Sequence, residues 1–261
     1  MNPPSVEQWA EAYVRALDPA SKCALPTPGL DFEGPGRAVP VPRAPGRGPG
    51  FRVVDRARIR PGGLRSARAR AEVLHTFCHH EVQAAELYAR ALLAFRSAPV
   101  EFRRGLLKIA CDEIRHAALY RDRLRANDSD YGELPVRDWF WERVPSCETP
   151  VAFVSLMGLG LEGANLEHAE TFAQRFREAG DEESARLCEQ VGREEESHVR
   201  FGAHWFARWT DGSFDAWCRE LPEPLTPWIL RGKELNRPAR RRAGQSEEFL
   251  TGLEAWAGPG S

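Results

Sequence analysis

Two Glu-x-x-His pairs, Glu113/His116 and Glu195/His198, bring a carboxylate and an imidazole together at the same spacing. In an α-helix, residues three apart lie on one face, so each pair can direct both groups at a single point. Both groups are ligands for transition metals. A single pair of this kind arises by chance in roughly half of chains this long, so it is the repetition that indicates a metal site.

A further glutamate precedes each pair at nearly the same distance. Glu81 lies 32 residues before Glu113, and Glu162 lies 33 residues before Glu195. Both occupy positions where the apolar stripe of a helix calls for a hydrophobic residue, and a buried charge is costly unless it is paired or bound to metal. Each half of the sequence therefore predicts a glutamate on one helix, a tight turn, and Glu-x-x-His on the next helix.

The combined set of four carboxylates and two imidazoles suits a dinuclear metal centre. One histidine would bind each ion, and Glu113 and Glu195 would bridge the two. We expect two iron ions, with manganese as the alternative. The predicted metal ligands are Glu81, Glu113 and His116 for one ion, and Glu162, Glu195 and His198 for the other.

A second pair of glutamates also repeats between the halves. Glu86 and Glu167 each follow the predicted ligand glutamate by five residues. Five residues correspond to about 140° around a helix, so both sets cannot face inward. The apolar stripe favours Glu81 and Glu162 as ligands and leaves Glu86 and Glu167 behind the ligands or on the surface. The alternative, in which Glu86 and Glu167 replace them, stays open on the sequence alone.

A third Glu-x-x-His, Glu72/His75, falls on the polar face of the first long helix. We expect this pair to be solvated surface and not a metal site. Metal-ligating histidines usually donate their second ring N–H to an acceptor. The candidate acceptors are Asp112, Glu194 and Asn165.

Four long helical patterns carry these residues. Their apolar residues recur at the spacing of bundle helices, and Thr149-Pro150 is a typical helix start. An aromatic, non-periodic connection before Thr149 has the length needed to cross a bundle once. The sequence therefore predicts an all-α fold, a ferritin-like four-helix bundle with one long crossover. The predicted helices span residues 64–97, 99–126, 149–179 and 181–209.

Extensions flank the predicted bundle on both sides. A short helix is expected from Ser5 to Leu17, followed by a Pro-, Gly- and Arg-rich arm that either has little regular structure or wraps over the bundle. The C-terminal extension ends in a short helix and is expected to pack on the bundle. The predicted domains are 1–63, 64–210 and 211–261.

The charge pattern limits the classes of partner. Charged residues make up 28% of the chain and the net charge is −2, a balance that argues against a general nucleic-acid binder. Basic residues nevertheless concentrate between 37 and 70 and between 231 and 242. These clusters suit RNA or another anion, or they dock on an acidic bundle.

The cysteines and the apolar runs exclude other classes. The six cysteines form no C-x-x-C, which argues against a zinc ribbon, a rubredoxin-type iron site or a thioredoxin-like motif. No basic start followed by an apolar run opens the chain, and no apolar run reaches 18 residues. We therefore expect a soluble, cytoplasmic protein with no membrane partner.

Residues 66–210 resemble the ferritin-like superfamily, and most of the chain resembles an uncharacterised bacterial ferritin-like family filed as a domain of unknown function. The matching phrases are His79–Glu86, Glu101–Ala110, Tyr131-Gly132, Asp138–Trp141, Gly158–Leu166, His198–Gly202 and Asn236–Phe249. Among characterised relatives, the ligand helices are similar to those of MiaE, the di-iron tRNA hydroxylase family that oxidises a hypermodified adenosine. That resemblance implies Glu81 and Glu162 as ligands, and it does not carry the tRNA substrate over to this chain.

Together these features predict a di-iron carboxylate oxidoreductase that activates dioxygen to hydroxylate or oxidise an organic substrate, either a small molecule or a modified nucleoside. An external electron donor is expected, and an oligomer is compatible with the sequence. The catalytic residues are unknown, with Tyr88 and Tyr120 as candidates beside their expected role in core packing. The alternatives are detoxification, as a ferroxidase, peroxidase or manganese catalase, and a non-catalytic metal-, RNA- or partner-binding protein.

Overall fold

The computed structural model describes residues 4–32, 39–55 and 63–258, so two parts of the predicted arm lie outside the described residues. Within these ranges the chain is all-α, as predicted, and its extended segments make only isolated bridge contacts. None of the helices in this part of the chain is long and apolar enough to span a membrane. The helices are α1 (Val6–Arg15), α2 (Pro19–Lys22), α3 (Ala67–Ala94), α4 (Val100–Arg125), α5 (Pro150–Val154), α6 (Glu162–Glu178), α7 (Glu182–Trp209), α8 (Phe214–Glu220), α9 (Arg237–Arg242) and α10 (Glu247–Ala255), with a 3-10 turn at Val144–Ser146 and a π-helical segment at Ser155–Leu161.

The chain divides into two compact units, Met1–Pro145 and Ser146–Ser261. Each unit is built around one pair of long helices, α3 with α4 in the first and α6 with α7 in the second. The four long helices predicted from the sequence are thus present, two in each unit. The prediction of a single bundle domain over 64–210 stays a prediction.

In the first unit, α3 and α4 form an antiparallel hairpin. Ser66 begins α3 with a side-chain oxygen that accepts a hydrogen bond from the third residue of the helix. Pro99 precedes α4, where its fixed φ suits a helix start. Along the hairpin, the Cys78 thiol donates to the Ala117 carbonyl. The short turn between the helices fixes which residues of α3 and α4 lie at the same level.

The polar face of α3 is buried, contrary to the expectation that it is solvated. His75, His79, Gln83 and Glu86 are each at most 2% exposed. The N-terminal segment and the loop after α4 cover these side chains. The covering contacts are Gly132 N–H to His75 Nε2, Tyr131 Oη to His79 Nδ1, Gln83 Nε2 to the Arg137 carbonyl, and Arg47 to the Glu86 carboxylate. Because each polar group has a specific partner, a face that the sequence marks as surface becomes part of the interior.

The arm packs against the first unit in the part that the structure describes. The Gly46 N–H donates to the Val14 carbonyl of α1, and the Val54 N–H donates to the Val136 carbonyl of the loop after α4. The helix at the start of this extension is confirmed, with the predicted capping box between Ser5 and Gln8. Of the two alternatives for the arm, the described residues follow the one that wraps over the helices.

In the second unit, the predicted helix over 149–179 is present, but its first half is not regularly α-helical. The chain leaves α-helical geometry for a π-helical segment at Ser155–Leu161 and returns to it at Glu162. The carbonyl of Ser155 accepts a hydrogen bond of 2.8 Å from the Trp217 indole N–H. Such segments are rare and frequently occur at functional sites, and this one ends at a predicted metal ligand.

Two glycines allow the π-helical segment to approach α7 closely. A Cβ on Gly158 would lie 2.8 Å from the Cα of Gly202, and a Cβ on Gly202 would lie 2.9 Å from the Cα of Gly158. Real Cβ atoms do not approach backbone atoms this closely, so both positions require glycine. The close approach sets the height at which α6 begins beside α7.

The C-terminal extension packs on the second unit and is more helical than expected. Its last helix is confirmed as α10, and α8 and α9 are two further helices for which the sequence made no prediction. Trp217 of α8 is fully buried and contacts the π-helical segment. Leu230 is also fully buried and lies against Gly160. The extension therefore supplies part of this unit's core.

We predict that Gly202→Ala destabilises the protein. Helix propensity alone would stabilise this position by about 1 kcal/mol, but the clash with Gly158 is expected to reverse the sign and cost about 1–3 kcal/mol. Denaturant unfolding followed by circular dichroism measures the change. Ser197→Ala, at an exposed position of the same helix, is the control and is expected to stay within about 0.5 kcal/mol of wild type. A stabilised Gly202→Ala variant would contradict the packing described above.

Candidate metal centre

The first unit brings Glu81, Glu113 and His116 together. All three are buried, and Glu113 and His116 are fully so. The Nδ1 atom of His116 lies 3.4 Å from Glu113 Oε2 and 3.6 Å from Glu81 Oε2. One potential ligand atom from each residue lies within 4.8 Å of the other two. The predicted partner glutamate and the predicted Glu-x-x-His of this half thus form one cluster, which we term the first cluster.

The second unit repeats this arrangement with Glu162, Glu195 and His198. These side chains are at most 5% exposed, and one potential ligand atom from each lies within 4.8 Å of the other two. His198 Nδ1 lies 2.8 Å from Glu195 Oε2. The other oxygen of Glu195 accepts a 3.3 Å hydrogen bond from the Asn165 amide. We term these three residues the second cluster.

The donor set of each cluster fits a divalent transition metal. Atoms that share an ion at about 2.1 Å lie at most about 4.2 Å apart, and the distances from His116 and His198 to the glutamate oxygens beside them fall within that limit. Two carboxylates in one buried cluster repel each other unless a cation or a proton joins them. Carboxylate oxygens and an imidazole nitrogen are donors that divalent transition metals accept.

Helix position explains why each cluster forms. Glu81 and the pair Glu113/His116 lie on facing sides of the α3–α4 hairpin, at matching levels across its turn. In the second unit, Glu162 is the first residue of α6, directly after the π-helical segment. A π-helical turn rotates the residues that follow it relative to a regular helix. The segment therefore sets the direction in which Glu162 points.

Glu86, the alternative ligand of the first half, forms ion pairs with two cationic side chains. Its carboxylate receives Arg47 Nη1 at 2.6 Å and Nη2 at 2.9 Å, and Lys22 Nζ at 2.7 Å. The Trp141 indole also donates to it at 2.8 Å. Burial alone would raise the pKa of Glu86, but Arg47 and Lys22 more than offset this and hold the pKa below its ordinary value. Glu86 is a buried ion-pair partner, so of its two expected positions, behind the ligands or on the surface, the surface one is wrong.

Glu167 of the second half is held in the same way. Arg240 donates from Nε at 2.7 Å and from Nη2 at 2.8 Å, one bond to each carboxylate oxygen. The backbone N–H groups of Gly232 and Asn236 add two further bonds of 3.1 Å. Both members of the pair are buried. In each unit, the glutamate five residues beyond the predicted ligand is thus engaged by an arginine fork.

Comparison with known proteins places the chain in a family. A family model described as "protein of unknown function (DUF455)" matches residues 7–251. The chain belongs to the DUF455 family.

A relative of this DUF455 chain is an uncharacterized protein of Haemophilus influenzae. The two are 25% identical over 144 residues, which cover 52% of this chain and 50% of the relative. The chain thus spans half the length of the curated relative that it matches. No solved structure matches the chain.

The third Glu-x-x-His of this DUF455 chain does not have the predicted character. Glu72 is partly exposed and pairs with Arg68, but His75 is 1% exposed and accepts a 3.0 Å hydrogen bond from the Gly132 N–H. Burial lowers the pKa of His75 to about 4, so the ring is neutral at pH 7. The expectation of solvated surface is therefore wrong for His75, and its partner is a backbone amide.

The remaining predicted positions have ordinary structural contacts. Asp112 pairs with Lys108, and Glu194 accepts a bond from a neighbouring glutamine. Asn165, proposed as an acceptor for a ligand histidine, donates instead to the ligand glutamate of the second cluster. Tyr88 and Tyr120 are buried at 1% and 3% exposure, as core packing requires.

The basic clusters are partly used within each unit. In the first unit, Arg47 bonds Glu86 and Asp138. Several other arginines of the arm lie outside the described residues. The C-terminal arginines that pair with carboxylates are Arg237, Arg240, Arg241 and Arg242. Arg240 and Arg242 reach carboxylates of α6 and α7, as the docking alternative expects, whereas Arg237 and Arg241 pair with α10 inside the extension. RNA binding stays a prediction.

We predict that His75 makes stability depend on pH. The folded pKa of about 4 lies below that of a free histidine, about 6.5, so the unfolded chain takes up the proton first. The stability that neutral His75 contributes is present above about pH 6.5 and is lost as the pH falls toward 4, by up to about 3 kcal/mol. Urea unfolding of wild type and His75→Gln at several pH values checks this. The variant is expected to show a shallower slope between pH 6.5 and 4, and parallel curves would contradict the assignment.

Proposed function

We propose that this DUF455 protein is a dinuclear metal carboxylate oxidoreductase of the ferritin-like kind, with iron as the metal and manganese as the alternative. The observation that supports this most strongly is the repetition of one donor set. Each unit holds two glutamates and one histidine in a buried cluster, at corresponding positions of a helical hairpin. A repeated buried donor set is difficult to account for by packing alone, because six buried ionisable groups are costly without an ion.

The proposed reaction is the oxidation or hydroxylation of an organic substrate by dioxygen. When bound, redox-active ions would supply the electrons and the open coordination positions for dioxygen chemistry. Electrons for a further turnover would come from an external donor. The substrate, a small molecule or a modified nucleoside, is part of the proposal, since the resemblance to the MiaE family does not carry a substrate over to this chain.

The roles of the chain's own residues follow from the geometry of each cluster. Glu81, Glu113 and His116 would hold one ion, and Glu162, Glu195 and His198 the other. Asn165 fixes one oxygen of Glu195 by its hydrogen bond and leaves the other directed at His198. Burial of all six groups keeps bulk water away from the donors.

Metal content tests this proposal directly. The purified protein is reconstituted with Fe(II) under anaerobic conditions, and its metal content is measured by inductively coupled plasma mass spectrometry. We expect about two iron ions per chain. Glu81→Ala/His116→Ala is expected to remove the first ion, and Glu162→Ala/His198→Ala the second. The combined variant is expected to bind neither, because each cluster then lacks two of its three donors.

The control for metal content is Glu72→Ala, which alters the Glu-x-x-His that does not form a cluster. It is expected to keep the full metal content. A wild-type chain without stoichiometric transition metal would refute the proposal, as would ligand variants with unchanged content.

Reaction with oxidants separates oxidative catalysis from detoxification. With an electron donor present, we expect iron-loaded protein to consume dioxygen and show changes in its visible spectrum, because reduced iron centres of this ligand type react with dioxygen. An oxygen electrode and a stopped-flow spectrometer measure both. Rapid consumption of peroxide without any organic substrate would indicate a peroxidase or catalase instead. RNA binding by a variant that lacks all six ligands would favour the non-catalytic alternative.

A further inference from the structure

The two units share a second repeated feature besides the clusters. Glu86 on α3 and Glu167 on α6 each lie five residues beyond the predicted ligand glutamate of the same helix. Each is at most 3% exposed, and each carboxylate accepts two hydrogen bonds from one arginine guanidinium. Both ligand helices therefore carry a metal-directed carboxylate on one face and a clamped carboxylate about 140° away.

The two arginines come from segments outside the helical hairpins. Arg47 belongs to the arm that precedes α3, and Arg240 belongs to α9 in the C-terminal extension. Both guanidinium groups are largely or fully buried, with side-chain exposures of 9% and 0%. Two different extensions thus reach the same place on two corresponding helices. The repetition is spatial, because one arginine lies before its glutamate in the chain and the other after it.

A buried ion pair is a poor device for stability alone. The cost of desolvating two charges offsets most of their attraction, and an apolar pair of similar volume is often equally stable or more so. Such a pair provides a fixed geometry, because the two N–H groups of the guanidinium fork donate to a carboxylate in one plane and at one distance. A fork on the face opposite the metal ligand holds the helix against rotation and sliding.

Contacts around Arg240 connect the clamp to the second cluster. The Nη1 atom of Arg240 lies 3.0 Å from the position that a Cβ on Gly163 would occupy. Gly163 directly follows Glu162, so the guanidinium packs on the backbone beside the predicted ligand. Movement of this arginine would therefore shift the first turn of α6, where Glu162 lies.

We propose that Arg47 and Arg240 are positioning residues for the metal centre. Each would clamp its ligand helix in the register that directs Glu81 or Glu162 into its cluster. Metal sites require their ligands within about 0.5 Å of the productive position, and losing an outer partner of a metal ligand typically lowers metal affinity 10- to 100-fold. This inference rests on the proposed function, because it assigns the clamps to ligand placement.

The test measures metal affinity and stability separately. Co²⁺ is titrated into metal-free full-length protein, and its binding is followed by the visible absorption of the bound ion. The protein carries Glu81→Ala/His116→Ala, which leaves the second cluster intact. Arg240→Lys keeps the charge and removes the fork, and it is expected to weaken Co²⁺ binding at least tenfold. The matching experiment on the first cluster uses Arg47→Lys in a Glu162→Ala/His198→Ala background, with the same expected loss.

Arg237→Lys is the matched control for the second cluster. It lies on the same helix as Arg240 and pairs with Glu247 and Glu254, which belong to α10 and not to a ligand helix. We expect this variant to bind Co²⁺ with unchanged affinity. If Arg240→Lys does not fold, Glu167→Gln/Arg240→Met removes both charges and keeps an acceptor for the Gly232 N–H, and the same loss of affinity is expected.

The outcomes distinguish the two proposals. Folded Arg240 and Arg47 variants that bind Co²⁺ as tightly as their backgrounds, with only a lower melting temperature, would show that the clamps serve stability alone and would overturn this inference. The proposed function would survive that result. Failure of the wild-type chain to bind Co²⁺ or Fe(II) would overturn the proposed function, and with it this inference.

Discussion

The structure depends on how six carboxylates are held away from water. Glu81, Glu113, Glu162 and Glu195 lie in the two clusters, and Glu86 and Glu167 lie behind them. A buried carboxylate is tolerated only with a cation or strong hydrogen bonds. For Glu86 and Glu167, the structure supplies arginine forks. For the two clusters, the donor types and their spacing are compatible with a metal ion, which is the cation we propose. The arginine-bound carboxylate and the cluster carboxylate of each unit lie on opposite faces of the same helix, α3 or α6.

The sequence was sufficient to predict what depends on local spacing. The four long helices follow from apolar periodicity and from capping residues such as Ser66 and Asp181. The two clusters follow from Glu-x-x-His and from a glutamate in an apolar stripe, since a short turn brings residues about 32 apart to one level of a hairpin. Residue types and helical geometry determine both, without reference to distant parts of the chain. The metal itself stays a prediction.

What the sequence did not predict depends on partners far along the chain. Arg47 is 39 residues from Glu86, and Arg240 is 73 residues from Glu167. No periodicity connects such positions, so a polar face that will be covered looks the same as one that stays in water. For this reason the sequence predicts solvated surface at His75, which is buried in the structure. The π-helical segment was missed because glycines such as Gly158 indicate close packing without indicating which helix geometry results.

The extensions are therefore integral to each unit. The α3–α4 hairpin by itself would leave Glu86 without Lys22 and Arg47, and the α6–α7 hairpin would leave Glu167 without Arg240. A hairpin without its extension would have to keep that carboxylate in water, which would expose the apolar residues around it. The family match agrees with this dependence, because it runs from residue 7 to residue 251 and includes both arginines as well as all six cluster residues. The unit that folds is the hairpin together with its clamp, and the cluster lies on the face that the clamp leaves free.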